Sequence, residues 1–284
     1  MRIELAKHAG YCFGVRDAVQ LALESARKYG TVYMLGDIVH NEVVVQQLAE
    51  SGVRVVKKLE DAKSAPLLFR AHGTQVDVWN SARQQGLTIL DGTCPLVSKI
   101  HSEVRELAAE GRRVVIVGDH GHDEVVGIAS QVPDPVVVSS PEEAEKLPRM
   151  RRCGVVSQST QMLANVIAVL NVLYRKVVDL RFINTICFPT RLNQEEIVEL
   201  ARENDVVIIV GSFSSANTKR LTSIAQSLNP RSYQVAKAED LQPEWFTGAE
   251  SVGVSAGAST PDDTIFAVVE RIRSISETQP VAAG

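Results

Sequence analysis

The chain is poor in aromatic residues: phenylalanine, tryptophan and tyrosine make up 5% of its 284 residues. A stacking platform for single-stranded nucleic acid needs several such rings, so that function class is disfavoured. Surplus positive charge is also lacking. Against 34 Asp and Glu stand 30 Lys and Arg, a formal net charge of −4, and the basic footprint of a nucleic-acid binder is missing. Any anionic ligand must be held by local donors. No apolar run approaches the ~18 residues of a membrane span, and the opening MRIELAKHAG carries charge where a secretory signal needs its apolar core. These features predict a cytoplasmic protein with no membrane partner. Cysteine is scarce, with four in the chain and no C-x2-C pair among them. In a reducing cytosol disulfides are disfavoured, and a conspicuous cysteine reads as a metal ligand or nucleophile.

What the chain does contain is a repeat. Cys12, Cys94 and Cys187 each end a short apolar run and open a helix-like pattern, and a glycine that ends a strand-like run follows each of them 24 residues later, at Gly36, Gly118 and Gly211. Four residues past those glycines stand His40, His122 and Ser215. Each third of the chain then has a second polar turn ending in threonine, at Arg70–Thr74, Ser157–Thr160 and Gly257–Thr260. Self-similarity of this kind fixes the architecture before any local motif does.

Short apolar runs alternate with runs of helical spacing, which predicts parallel sheets covered on both faces. The fold class expected is α/β: three similar units with mainly parallel sheets, arranged as a pseudo-threefold trefoil. Residues 13–93, 94–186 and 187–284 form the units. The third lacks a last strand, and residues 1–12, with RIELA at positions 2–6, are expected to supply it. A strand ending near Ile186 should deliver Cys187, and 279–284 reads as a frayed tail.

In parallel α/β units the polar turns lie beyond the carboxyl ends of the strands, where such sheets bind ligands. A single cysteine is most simply a small buried hydrophobe, and Cys153, which has no counterpart in the other units, is read so. The shared template sets Cys12, Cys94 and Cys187 apart. Three thiolates suit an iron–sulfur cluster with one iron left open, and zinc held by three cysteines and a histidine is the rival. His40, His72 and His122 read as donors to an anion, aided by helix N-termini. Ser159, Ser215, Asn217 and Ser259 fit either helix caps or ligand donors. Glu124 sits in a first helical turn, either for the helix dipole or for chemistry.

The residues resemble the 4-hydroxy-3-methylbut-2-enyl diphosphate reductase family. The resemblance runs from about residue 3 to 275 and rests on six motifs in order: Ala9–Val15, Arg70–Gly73, Thr93–Val97, Gly121–Val125, Thr185–Cys187 and Ala256–Ser259. It implies a 4Fe-4S enzyme with Cys12, Cys94 and Cys187 as metal ligands. Reduced ferredoxin or flavodoxin would supply electrons, and an allylic diphosphate would lose its hydroxyl as water, giving isopentenyl and dimethylallyl diphosphate. His40, His72, His122, Ser215, Asn217 and Ser259 would hold the diphosphate, Ser159 would lie by the substrate hydroxyl, and Glu124 would feed protons. Asp123, Ser159, Pro189, Asn193 and Ala216 depart from the family's usual residues. A paralogue acting on a different allylic diphosphate, a non-catalytic iron–sulfur sensor and a zinc hydrolase are the competing readings.

Overall fold

The computed structural model describes residues 1–62 and 65–278, so the tail expected at 279–284 lies outside the described residues. Two compact units result: Gly14–Val39 with Val45–Cys187, and Met1–Phe13 with His40–Val44 and Phe188–Gly284.

The first of these holds two sheets. One contains β2 (Val32–Leu35), β3 (Val53–Val56), β4 (Leu67–Phe69) and β5 (Ile89–Asp91), in the order β3-β2-β4-β5. The other contains β6 (Arg113–Val117), β7 (Val136–Val138), β8 (Met150–Ser157) and β9 (Val177–Phe182), in the order β7-β6-β8-β9. Among the described residues, every strand pairing in these two sheets is parallel. The connecting helices are α1 (Phe13–Tyr29), α2 (Glu42–Glu50), α3 (Val76–Gln84), α4 (Pro95–Ala109), α5 (Asp123–Ala129), α6 (Pro141–Glu145) and α7 (Leu163–Tyr174).

The second unit holds β1 (Arg2–Leu5), β10 (Val206–Val210), β11 (Ser232–Val235) and β12 (Ser251–Ala256), ordered β1-β12-β10-β11 and again parallel. Its helices are α8 (Phe188–Glu203), α9 (Ala216–Leu228) and α10 (Asp262–Thr278). The run VVIIV of β10 is buried on both faces. Val206, Ile208 and Val210 pack with Val252, Val254 and the α10 residues Ile265, Val268 and Ile272. Val207 and Ile209 pack with Ile197 and Leu200 of α8 and Leu221 of α9. Helices on both faces therefore select a continuous apolar strand over an alternating one.

All three sheets share one order, with the second strand of the set, then the first, third and fourth. In two of them the fourth strand follows a helix in sequence. In the third it is β1, paired from Arg2 with Ser251 to Leu5 with Val254, as the missing last strand predicts.

Two local departures have clear causes. β9 stops at Phe182 and does not run to Ile186, because the Thr185 side chain takes over the pairing: its Oγ1 accepts from Ser157 N–H at 2.8 Å and donates to the Ser157 carbonyl at 2.6 Å. The short α6 is not expected from periodicity, yet Ser140 caps it by accepting from Glu143 N–H, and Pro141 opens it.

Candidate active site

In a sheet of this order the chain leaves the first strand to one side and the third to the other, so a crevice opens beyond their carboxyl ends. The two polar turns of each third of the chain stand there, and their backbone bonding is the same three times over. The glycine after the central strand donates its N–H to the last residue of the neighbouring edge strand: Gly36 to Val56, Gly118 to Val138 and Gly211 to Val235, at 3.0, 2.9 and 2.8 Å. The second turn closes between Arg70 and Gly73, Gln158 and Gln161, and Gly257 and Thr260. Each cysteine N–H then donates to the second residue of that turn, Cys94 to Ala71, Cys187 to Ser159 and Cys12 to Ala258, at 3.0, 2.9 and 3.2 Å. The repeat seen in sequence is thus a repeat of hydrogen bonds, and it places each half-buried cysteine against a polar turn.

In the two-sheet unit, Cys94, Cys187, His72, His122, Glu124 and Ser159 stand at these turns. Glu124 is 2% exposed and Ser159 6%. Both oxygens of the Glu124 carboxylate are engaged: Oε1 accepts from Ser159 N–H at 2.5 Å and Oε2 from the Ser159 hydroxyl at 2.7 Å. The two positions are therefore brought together, 35 residues apart in sequence. His122 is the cap of α5, and its Nδ1 accepts from Glu124 N–H at 3.2 Å. A ring that accepts at Nδ1 carries its neutral-form proton on Nε2, which makes Nε2 the donor. The His72 and His122 rings meet edge to face with centroids 5.6 Å apart. Between their turns, Arg70 Nη1 and Nη2 donate to Asp123 Oδ2 and Oδ1 at 2.6 and 2.8 Å. Gly14 approaches Cys94 closely, since a Cβ there would stand 2.4 Å from Sγ.

In the one-sheet unit stand Cys12, His40, Ser215, Asn217 and Ser259. Ser215 caps α9, accepting from Thr218 N–H at 3.3 Å. Asn217, 6% exposed, has neither its Nδ2 nor its Oδ1 hydrogen-bonded to any partner among the described residues. Leaving a buried amide group unpaired costs about 1–3 kcal/mol. Such a cost is relieved where an ordered water or a ligand takes the bonds. The residue matching His122 and Ser215 as a cap is Asn41, whose Oδ1 accepts from Val43 and Val44 N–H at 3.0 and 3.3 Å. His40 stands one residue earlier, so the sequence offset names the neighbour of the cap. The signal for Asn41 was present: asparagine before an apolar helical run is a preferred cap. The hydroxyls of Ser212 and Ser214 donate to the Glu42 carboxylate at 3.0 and 3.1 Å, and the Ser212 bond is the largest cause of its lowered pKa.

The departures from the family's residues have local explanations in part. Pro189 lies in the first turn of α8, where no intrahelical N–H bond is lost. The Asn193 amide, turned so that its nitrogen faces the carbonyls of Pro189 and His8, donates at 3.3 and 3.2 Å. Asp123 is held by Arg70. Nothing in the structure explains Ala216.

Cys153 is fully buried in β8, packed among core residues such as Val155, and burial pushes its thiol up to about 12. His101, left without a role by its sequence context, is buried. Among the described residues no group of three or more histidine, cysteine, aspartate or glutamate side chains is gathered where a metal ion could be held. The donor chemistry still fits an iron–sulfur cluster, because the three cysteines at equivalent turns are soft sulfur ligands of the kind such clusters take.

A profile of the LytB protein family matches residues 3–273. A protein of Geobacter metallireducens named 4-hydroxy-3-methylbut-2-enyl diphosphate reductase is 44% identical over 280 residues, 98% of this chain and 99% of that protein. Its namesake in Geobacter sulfurreducens is 45% identical over 275 residues, 96% of this chain and 97% of that protein. A solved structure described as (E)-4-hydroxy-3-methyl-but-2-enyl diphosphate reductase, the terminal enzyme of the non-mevalonate pathway, is 41% identical and covers 96% of this chain and 100% of its own, with a TM-score of 0.70. The E-1-hydroxy-2-methyl-but-2-enyl-4-diphosphate reductase from Plasmodium falciparum is 26% identical, covers 95% of this chain and 87% of its own, and has a TM-score of 0.90. The threefold pattern of cysteines and turns therefore has a family to which it belongs, and this chain is a member of the LytB protein family.

Proposed function

We propose that this chain is a 4-hydroxy-3-methylbut-2-enyl diphosphate reductase, converting that substrate to isopentenyl and dimethylallyl diphosphate. The names of its relatives support the reaction. The observation that carries the site is Asn217, buried with its amide unpaired beside the Ser215 cap of α9. An anion there would accept from Asn217 Nδ2 and lie at the positive end of a 13-residue helix.

In this reading Cys12, Cys94 and Cys187 hold a 4Fe-4S cluster, one cysteine standing where each of the units 13–93, 94–186 and 187–284 opens, with 1–12 completing the third. The cluster, when bound, supplies electrons and an open iron that polarises the substrate's C–O bond. The protein's own residues do the rest. His40, His72 and His122 with Ser215, Asn217 and Ser259 bind and orient the diphosphate. His122 does so through Nε2, the ring nitrogen left as donor by the cap at Nδ1. Ser159 lies between the Glu124 carboxyl and the substrate hydroxyl. A proton on Glu124 passes through the Ser159 hydroxyl, which releases its own proton to the departing oxygen as it takes one from Glu124, so water leaves without a free hydroxide. The electrons come from reduced ferredoxin or flavodoxin, and the reaction takes place in the cytoplasm.

The test is an anaerobic assay of the purified chain with the allylic diphosphate and a reduced dye. Dye oxidation with formation of the two five-carbon diphosphates is expected. An iron-loaded protein that oxidises no dye would sink the reading and favour a sensor, and a colourless protein with zinc would favour a hydrolase.

A further inference from the structure

We propose that the Arg70–Asp123 fork is a positioning device that sets the spacing of His72 and His122, and with it the affinity for diphosphate. The inference rests on the reading of those histidines as diphosphate donors. Its basis is a closed circuit. Arg70 is the first residue of the turn that carries His72, and Asp123 is the first residue of α5, directly after His122. The two imidazoles touch edge to face at 5.6 Å, while the guanidinium and carboxylate join the same two turns by paired bonds of 2.6 and 2.8 Å. A bidentate pair fixes both a distance and a plane, which a single point charge cannot do. Side-chain exposures of 22% and 32% keep it partly out of solvent, so it is screened less than a surface pair.

The surroundings are shaped for this pair. Gly36 has φ +72°, and a Cβ there would stand 2.5 Å from Arg70 Nη1, so glycine leaves the guanidinium its place. Beyond the fork lies a cavity of about 320 Å³ lined by Lys57, Arg70, Thr74, Gln75 and Asp123. Without its carboxylate partner the Arg70 side chain has room to swing into that space. The His72 turn then loses its charged tie to α5 and keeps the packing of Gly127 against His72 and Gly73.

The experiment measures binding of inorganic diphosphate by calorimetry, and KM and kcat by assay, on cluster-loaded wild type, Arg70→Gln, Arg70→Lys, Asp123→Asn and the Arg70→Gln/Asp123→Asn double variant. Each single change is expected to weaken diphosphate binding and raise KM by about 5–30-fold, with kcat within about 2-fold, and the double variant should be no worse than the worse single one, as for a coupled pair. Arg70→Lys keeps the charge but not the fork, so it should not rescue. Thermal melting confirms folding, and if Arg70→Gln fails to fold, Asp123→Asn and Arg70→Lys carry the test. Wild-type affinity in Arg70→Lys, independent effects in the double variant, or a fall in kcat at unchanged KM would each overturn the proposal. Wild-type protein that binds no diphosphate would instead overturn the role of the histidines.

Discussion

Glu124 has both carboxylate oxygens committed to Ser159, and this makes Glu124→Gln an informative change. The Ser159 N–H can still donate to the amide oxygen, and the hydroxyl can turn round to accept from the amide nitrogen. The local bonding survives while the proton source is lost. Iron content and diphosphate affinity should match wild type, and turnover should fall by about 10²–10⁴-fold. Near-normal turnover would remove Glu124 from proton delivery, and lost iron would make its role structural. His101 tests a different property. Burial, with a smaller effect from the Arg105 charge, lowers its pKa from 6.5 to about 4. The unfolded chain therefore binds the extra proton between those values, so stability is complete above 6.5 and declines as pH falls toward 4. Thermal midpoints across that range should slope less steeply in His101→Leu, and equal slopes would refute the assignment. No sequence signal sets His101 apart from His8 or His120, because its burial follows from the close packing of Gly73 and Gly127 against its ring.

At the scale of elements, β1 is the sharpest case. Its partner is remote in sequence, yet the count of strands in each third places it at the edge beside β12. Ile3 packs partly against the core that includes Val252 and Val254. An Ile3→Asp change buries part of a charge there and should destabilise this sheet by about 2 kcal/mol or more. Hydrogen exchange would show it as lost protection at β12 with β6 and β8 unchanged, and unaltered protection at β12 would contradict the pairing. Strands with continuous apolar runs, such as Arg113–Val117 and Val206–Val210, were legible to the residue. Elements set by side-chain bonding were not. β9 ends early because Thr185 replaces backbone pairing, and α6 exists through its cap and proline over only five residues. Periodicity has too few turns to register a helix that short.

For the whole molecule, the equal 24-residue steps made the threefold pattern legible, and the hydrogen bonds of Cys12, Cys94 and Cys187 repeat it. The Arg70–Asp123 fork was not legible, since nothing in composition pairs two charges 53 residues apart. Replacing Cys12, Cys94 or Cys187 by serine should in each case strip bound iron and activity, because an alkoxide is a poor substitute for a soft thiolate. Cys153→Ala is the better control than Cys153→Ser, which would put a hydroxyl into a fully buried apolar site. Iron analysis of the four variants decides the ligand set, and a Cys153→Ala protein without iron would overturn it. The β1–β12 pairing also bears on synthesis. Arg2 leaves the ribosome long before Ser251, its partner in the sheet. At about 5–20 residues per second the first strand waits roughly 12–50 s with an unpaired edge. The two sheets between them have partners available much sooner, so the order of folding on the ribosome should run from the middle of the chain outward, with the earliest residues made among the last to settle.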